Sequence, residues 1–414
     1  MNQKTLIGLA GAAIVAIVAA MALNHSNRPS DETVEKSTWL APSLRDHVND
    51  VSKLVVTGAE NKVLATLERG TNGWTLAQKG GYPVDTGKLR AFLLKLADAR
   101  RLEQKTSNKD KYAVLGVEDI GATDAKGIEV ELGGLAQPLK LIVGNADPRG
   151  GTYVRVADDA QSWLASGALT VDRTAADWLH KDLADIAATR IASVAITHAD
   201  GSRVAISKNA EGDANYVLAD VPKGREAGSE FAVNGLASAL AGLRFDDVLP
   251  AAEAAPGDKP LKARYATFDG LVVEVAAWEK DGKDLAQFVA SVDAAQADKG
   301  IEAAQAKAKA DYDAAMAADA AKKDGDKAPA DTPAKPIAVS DPAKDREERV
   351  AALDKQVAEL NARFKGWTYV IPAYKYANIN KSISDLLKPL EDKAEVAAKA
   401  KSKPAAGAKP AGKH

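Results

Sequence analysis

The sequence predicts an α+β fold: two related modules of mainly antiparallel sheet with packed helices, an N-terminal transmembrane helix ahead of them, and a helical hairpin inserted in the second module. Three observations predict it. Short runs alternate apolar and polar residues between Gly and Asn turns; "GGTYVRV" at 150–156 returns as "GWTYVIP" at 366–372 within an ordered series of matches; and residues 6–23 form an uncharged apolar run. Alternation with period two belongs to antiparallel sheet with one wet face.

Bulk composition sets the limits. A chain of 414 residues that is 46% hydrophobic can bury the cores of two or three domains. Lys plus Arg number 55 and Asp plus Glu 57, a formal charge of -2, which argues against a globally basic nucleic-acid binder. The absence of cysteine excludes disulfides, thiolate metal sites and a cysteine nucleophile.

Residues 1–5 precede the apolar run and read as a cytoplasmic tip. At ~1.5 Å per residue the run 6–23 reaches about 27 Å, close to a ~30 Å hydrocarbon core, so it reads as a membrane anchor. Ala20-Met21-Ala22 also offers an A-x-A cleavage site, but cleavable apolar regions usually run ~7–15 residues. Lys4 lies before the run and Asp31, Glu32 and Glu35 after it, which places the N-terminus inside and the bulk outside. In a bacterium that means a single-pass inner-membrane protein facing the periplasm. Residues 24–46 form a polar linker.

The first module is expected at 47–188. Strands at 51–57, 62–68 and 73–78 lead to a helix capped by Asp85 or Thr86, with Leu89, Phe92, Leu93 and Leu96 on one face. Strands at 127–134, 139–144 and 152–156 complete it. The second module, 189–390, repeats the order: strands at 191–197, 202–208 and 216–219, then a helix around 231–245 carrying Val233, Leu236, Leu240 and Leu243. Residues 266–275 answer 122–132, residues 285–293 answer 139–147, and "GWTYVIP" answers "GGTYVRV". Short helices at 175–179 and 383–387 close the two copies.

In the first copy a short "DPRGG" turn joins the last two strands; in the second the same connection runs over 294–365. Residues 294–323 are rich in helix-forming Ala, Lys, Glu and Gln. Prolines at 324–342 break that helix, and Asp341 with Pro342 starts another. In it Val350, Leu353, Val357, Leu360 and Phe364 recur at alternating spacings of three and four, a heptad seam that makes them the candidate partner-docking residues. The reading leaves two roles open for this arm, a solvated decoration or a dock. The tail 391–414 is Lys/Ala/Pro-rich and of low complexity; its Lys399, Lys401, Lys403, Lys409 and Lys413 are candidate contacts to an anionic surface.

No catalytic, cofactor or metal site is readable. The five histidines are scattered, "GGYPVDTGKL" at 80–89 departs from a phosphate loop in spacing and lacks its Ser/Thr, and Asp158/Asp159 and Asp246/Asp247 are merely adjacent.

The anchor, the "GWTL" strand, "YAVLGVED" (112–119), "VGNADPRGGTYVRV" (143–156), "ADWLHKDLADI" (176–186) and the closing "GWTYVIP" together resemble the bacterial family numbered 4340 among domains of unknown function. The resemblance implies a membrane-anchored envelope protein, often encoded near ABC-2 type transporters of the gliding-motility kind, with no catalytic residues to carry over. A proline expected after "LGVED" is replaced here by "IGATDAKG". The expected function is a non-catalytic accessory or binding subunit of an ABC-type transport system, with an ABC-2 type permease or another envelope protein as partner. The alternative is an envelope protein that uses its basic tail on cell wall or anionic lipid.

Overall fold

The computed structural model describes residues 38–321 and 334–389. The predicted anchor at 6–23 and the lysine tail lie outside them, and among the described residues no helix is long and apolar enough to cross a membrane. The chain divides into two compact units between His180 and Lys181, each an α+β body on antiparallel sheet.

The first unit contains β1 (Lys53–Gly58), β2 (Lys62–Gly70), β3 (Gly73–Leu76), β4 (Tyr82–Pro83), α1 (Thr86–Asp98), β5 (Arg101–Gln104), β6 (Ile128–Gly133), β7 (Leu139–Ala146), β8 (Thr152–Val156) and β9 (Ser162–Ala165). Among the described residues these strands form one sheet in the order β4-β3-β2-β1-β6-β7-β8-β9-β5. The alternation in β6 sends Ile128, Val130 and Leu132 into the core and leaves Glu129 and Glu131 partly wet. Asp85 caps α1 by accepting from the Lys88 N–H, and Leu89, Phe92, Leu93 and Leu96 form its buried stripe. The first two glycines of "GGYPVDTGKL" thus precede a helix cap, Gly80 and Gly81 taking positive φ just before it, and Gly87 lies in the first turn of α1.

The second unit contains β10 (Asp182–Ala184), β11 (Ile191–Thr197), β12 (Arg203–Ser207), β13 (Val217–Leu218), α2 (Glu230–Asn234), β14 (Leu243–Arg244), β15 (Asp247–Pro250), β16 (Leu261–Thr267), β17 (Leu271–Lys280), β18 (Lys283–Val292), α3 (Ala294–Ala320), α4 (Pro342–Phe364), β19 (Trp367–Val370) and α5 (Ala373–Ile379). Its main sheet runs β13-β12-β11-β16-β17-β18-β19-β15. With β4 set aside, this is the same path strand for strand. The ends agree too. A 3-10 turn at Ala175–Trp178 brings Leu179 to bridge Val84 just before α1, and one at Ile383–Leu386 brings Leu387 to bridge Ala227 just before α2. At the start of each unit, Trp39 bridges Arg100 after α1 and β10 pairs with β14 after α2.

The strand-by-strand matches read from sequence are displaced by one. β1 pairs with β6 and β11 with β16, so β16, β17, β18 and β19 stand where β6, β7, β8 and β9 stand. "GWTYVIP" is therefore the counterpart of β9, and the insertion replaces the β8–β9 turn rather than "DPRGG". The cause is β16, "LKARYAT": Lys262 and Arg264 alternate with buried Leu261, Ala263 and Tyr265, which dilutes its apolar signal. The helix expected at 231–245 is also shorter. It ends at Asn234 and passes through a 3-10 turn, where the Ser238 hydroxyl donates to the Gly235 carbonyl and competes with continued helix. Val233, Leu236, Leu240 and Leu243 are buried all the same.

The inserted helices begin as expected, Asp293 capping α3 and Asp341 capping α4 with Pro342 behind it. They do not pair as an isolated hairpin. Only Ala297 and Ile301 of α3 are buried, and Gly300 sits so close to the β16–β17 turn that a Cβ there would meet the Phe268 carbonyl oxygen at 2.5 Å. The end of α4 packs on the sheet, where Phe364 stacks on Phe288 with ring centroids 5.3 Å apart.

One contact of α4 closes a gap in hydrogen bonding. β19 pairs with β18 only at Leu285 and Ala286, so the rest of that edge of β18 lacks a strand partner. There the Asn361 side-chain amide donates to the Ala290 carbonyl (2.8 Å) and its oxygen accepts from the Ala290 N–H (2.9 Å). Asn361→Leu, which keeps the size and removes both bonds, is expected to cost about 1–3 kcal/mol of stability by urea unfolding. Unchanged stability would mean that water serves Ala290 equally well.

Candidate functional site

A polar cluster of the first unit lies in the motifs that carry the family resemblance. Gly144 lets β7 pass beneath the "YAVLGVED" turn: a Cβ there would lie 2.4 Å from the Leu115 carbonyl oxygen. Tyr112, Val117 and Ile142 pack together against it. Buried Arg155 donates from Nε to the Val117 carbonyl (2.9 Å), from Nη1 to the Asp159 carbonyl (3.0 Å) and from Nη2 to the Asp119 carboxylate, while its guanidinium lies 4.6 Å from the Tyr112 ring centre. Every arm of the guanidinium is engaged. The cluster is a clamp for the turn, and the arginine side chain at its centre is buried.

Asp147 of "DPRGG" is equally committed. Its carboxylate accepts from the Arg149 guanidinium, the Tyr153 hydroxyl and the Arg149 N–H, and these bonds hold its pKa well below the usual carboxylate range. A lowered folded-state pKa contributes stability above the unfolded value of about 4, and that contribution disappears as pH falls through the folded value. Asp147→Asn is therefore expected to flatten the loss of stability on acidification below about pH 4, measured as thermal midpoints across pH. A parallel acid limb in the variant would contradict this sign.

Elsewhere the chemistry-bearing side chains stay apart. His47 meets Asp50 and His198 meets Asn380 and the Lys381 carbonyl; among the described residues no three His, Asp or Glu gather as metal ligands. Asp159 accepts from the Gln161 N–H in a turn, and Asp247 from the Val248 N–H. Lys399, Lys401, Lys403, Lys409 and Lys413 lie outside the described residues.

The seam of α4 turns inward. Leu353, Leu360 and Phe364 are buried and Val357 is half-buried, so their own unit already covers most of the stripe; Val350 remains 36% exposed. An apolar stripe at heptad spacing fits any apolar surface, and here the sheet takes much of it.

What α3 and α4 do form is a cleft. It measures about 1120 Å³ and lies wholly in the second unit. Its floor is the β11–β12 end of the sheet, with Ala192, Ser193, Ser207 and Lys208; one wall is the small-residue face of α3; the other is Arg349, Leu353 and Gln356 of α4. Arg190 is fixed beneath it, 2.6 Å from Asp269 and donating to Gln356 Oε1 at 2.8 Å. Lys307 pairs with Asp311 at 2.6 Å and Arg349 with Asp345 at 2.8 Å. Sequence reading missed this site because its polar residues come from five distant segments; the one legible signal was the insertion itself.

The architecture defines a duplicated antiparallel α+β scaffold whose second copy carries a helical insertion and, with it, a cleft. Residues 74–263 match the family model of a domain of unknown function (DUF4340), the family that the sequence resembles. The match begins in β3 of the first unit and ends in β16 of the second. No curated protein and no solved structure matches the chain.

Proposed function

We propose that this is a non-catalytic, membrane-anchored envelope protein whose second unit serves as a binding module, an accessory subunit of an ABC-type transport system. The observation that carries the reading is the difference between the two copies. They share a strand path, yet only the second has α3 and α4 between its last hairpin strands and a cleft formed with them. A duplicated scaffold gives no chemistry by itself; the added part is where function is grafted. The membrane part of the reading rests on the apolar run at 6–23, and the transporter part on the family resemblance.

The test is copurification from gently solubilised native membranes, comparing the full chain with one in which residues 299–345 are replaced by three glycines. The Asp298–Arg346 ion pair, 2.6 Å long, shows that the two cut ends lie close enough for so short a bridge. An ABC permease recovered with the full chain and lost with the deletion is the expected result. Absence of any transporter subunit from the full-chain sample would sink the transporter reading.

A further inference from the structure

The charges lining the cleft do not cancel. Arg190, Lys307 and Arg349 are each neutralised by a carboxylate, as described above. Among the described residues Lys208 and Lys299 have no carboxylate partner; the Lys208 ammonium lies 4.6 Å from the Tyr216 ring centre. Glu211 is the lining acid without a cation, which leaves two ammonium groups against one carboxylate.

Beside these charges stand two hydroxyls. Ser193 and Ser207 are directly paired across β11 and β12, so their side chains leave the sheet together on one face. Lysines supply compact charge to a phosphate, and hydroxyls supply donors to its further oxygens, more acceptors than one carboxylate presents. The α3 wall is of another kind: Gly300, Ala304 and Ala308 recur every fourth residue along roughly 12 Å of helix, facing Leu353. A cleft with donors at its floor and a smooth apolar wall suits a ligand with two unlike ends.

We propose that the cleft binds a phosphate-bearing amphiphile, its head on Lys208, Lys299, Ser193 and Ser207 and its apolar stem along the small-residue face of α3. The proposal rests on the second unit being a binding module and stands whether or not the partner is a permease. Charge complementarity selects an anionic head over a zwitterionic one, and the alanine wall selects an amphiphile over free phosphate.

Isothermal titration calorimetry on the full chain tests this, with dihexanoyl phosphatidic acid kept monomeric as the probe. Binding is expected, at least tenfold tighter than for dihexanoyl phosphatidylcholine or inorganic phosphate. The double substitution Lys208→Ala/Lys299→Ala should weaken it at least tenfold, and Ala304→Trp should block it while leaving the thermal midpoint in place. A preference for phosphatidic-acid over phosphatidylcholine vesicles that the double variant loses supports a membrane lipid as the source; binding of the monomer without such a preference supports a soluble amphiphile. The proposal is overturned if the probe does not bind, if both variants bind it as the parent does, or if inorganic phosphate binds equally well. Such a failure leaves the copurification result untouched, since that experiment reads the permease and not the amphiphile.

Discussion

Phe364→Ala is expected to destabilise the second unit by about 3–5 kcal/mol, the range for deleting a well-packed aromatic ring. Phe364 is 2% exposed and ends a chain of rings: its centroid lies 5.3 Å from Phe288, Phe288 lies 6.1 Å from Tyr369, and Tyr369 lies 5.2 Å from Phe245. These rings come from α4, β18, β19 and the residue after β14, so one truncation opens a cavity where the insertion meets the original sheet. Urea unfolding should show an early transition for the second unit and an unmoved one for the first. Phe364→Leu should recover more than half of the loss. A loss under about 1 kcal/mol would mean that α4 is held by something other than this cluster.

Arg155→Ala is expected to cost the first unit about 3–5 kcal/mol, as removal of one member of a buried charged network does. Arg155 is 3% exposed, and loss of its guanidinium strands the carbonyls of Val117 and Asp159 and empties the space above the Tyr112 ring. Arg155→Lys should recover little, because one ammonium cannot reproduce a planar fork that reaches three acceptors and covers a ring. Hydrogen exchange over 109–160 should show the turn opening ahead of global unfolding. Equal protection in parent and variant would remove the clamp from the account.

The α+β class, the antiparallel sheets, the α1 stripe and the caps at Asp85 and Asp341 were legible because each depends on local pattern. The duplication was legible as a tendency but not in register. Two successive strands can resemble each other as much as their true counterparts do, and only hydrogen-bonded pairing says which is which. β9, four residues long, and β16, broken by Lys262 and Arg264, gave no run to count, so the matches slid by one strand. The heptad seam was read from its spacing correctly as apolar, yet spacing does not say whether a helix or a sheet will cover it. The cleft was beyond reach for a plainer reason. Ser193, Lys208, Lys299 and Leu353 have nothing in common until the fold brings them together.

The cover that Asn361 gives to β18 has a consequence for the order of events along the chain. Ala290 and Asn361 are separated by 71 positions, so on a growing or translocating chain the sheet edge exists well before its cover. During that interval β18 offers unpaired amides and the exposed valines Val289 and Val292, the kind of edge on which another chain can add a strand. The Lys- and Ala-rich α3 follows at once, a segment that forms helix locally and keeps charge beside the open edge. The insertion would then act as a chaperone to its own module: soluble cover first, permanent cover when α4 arrives.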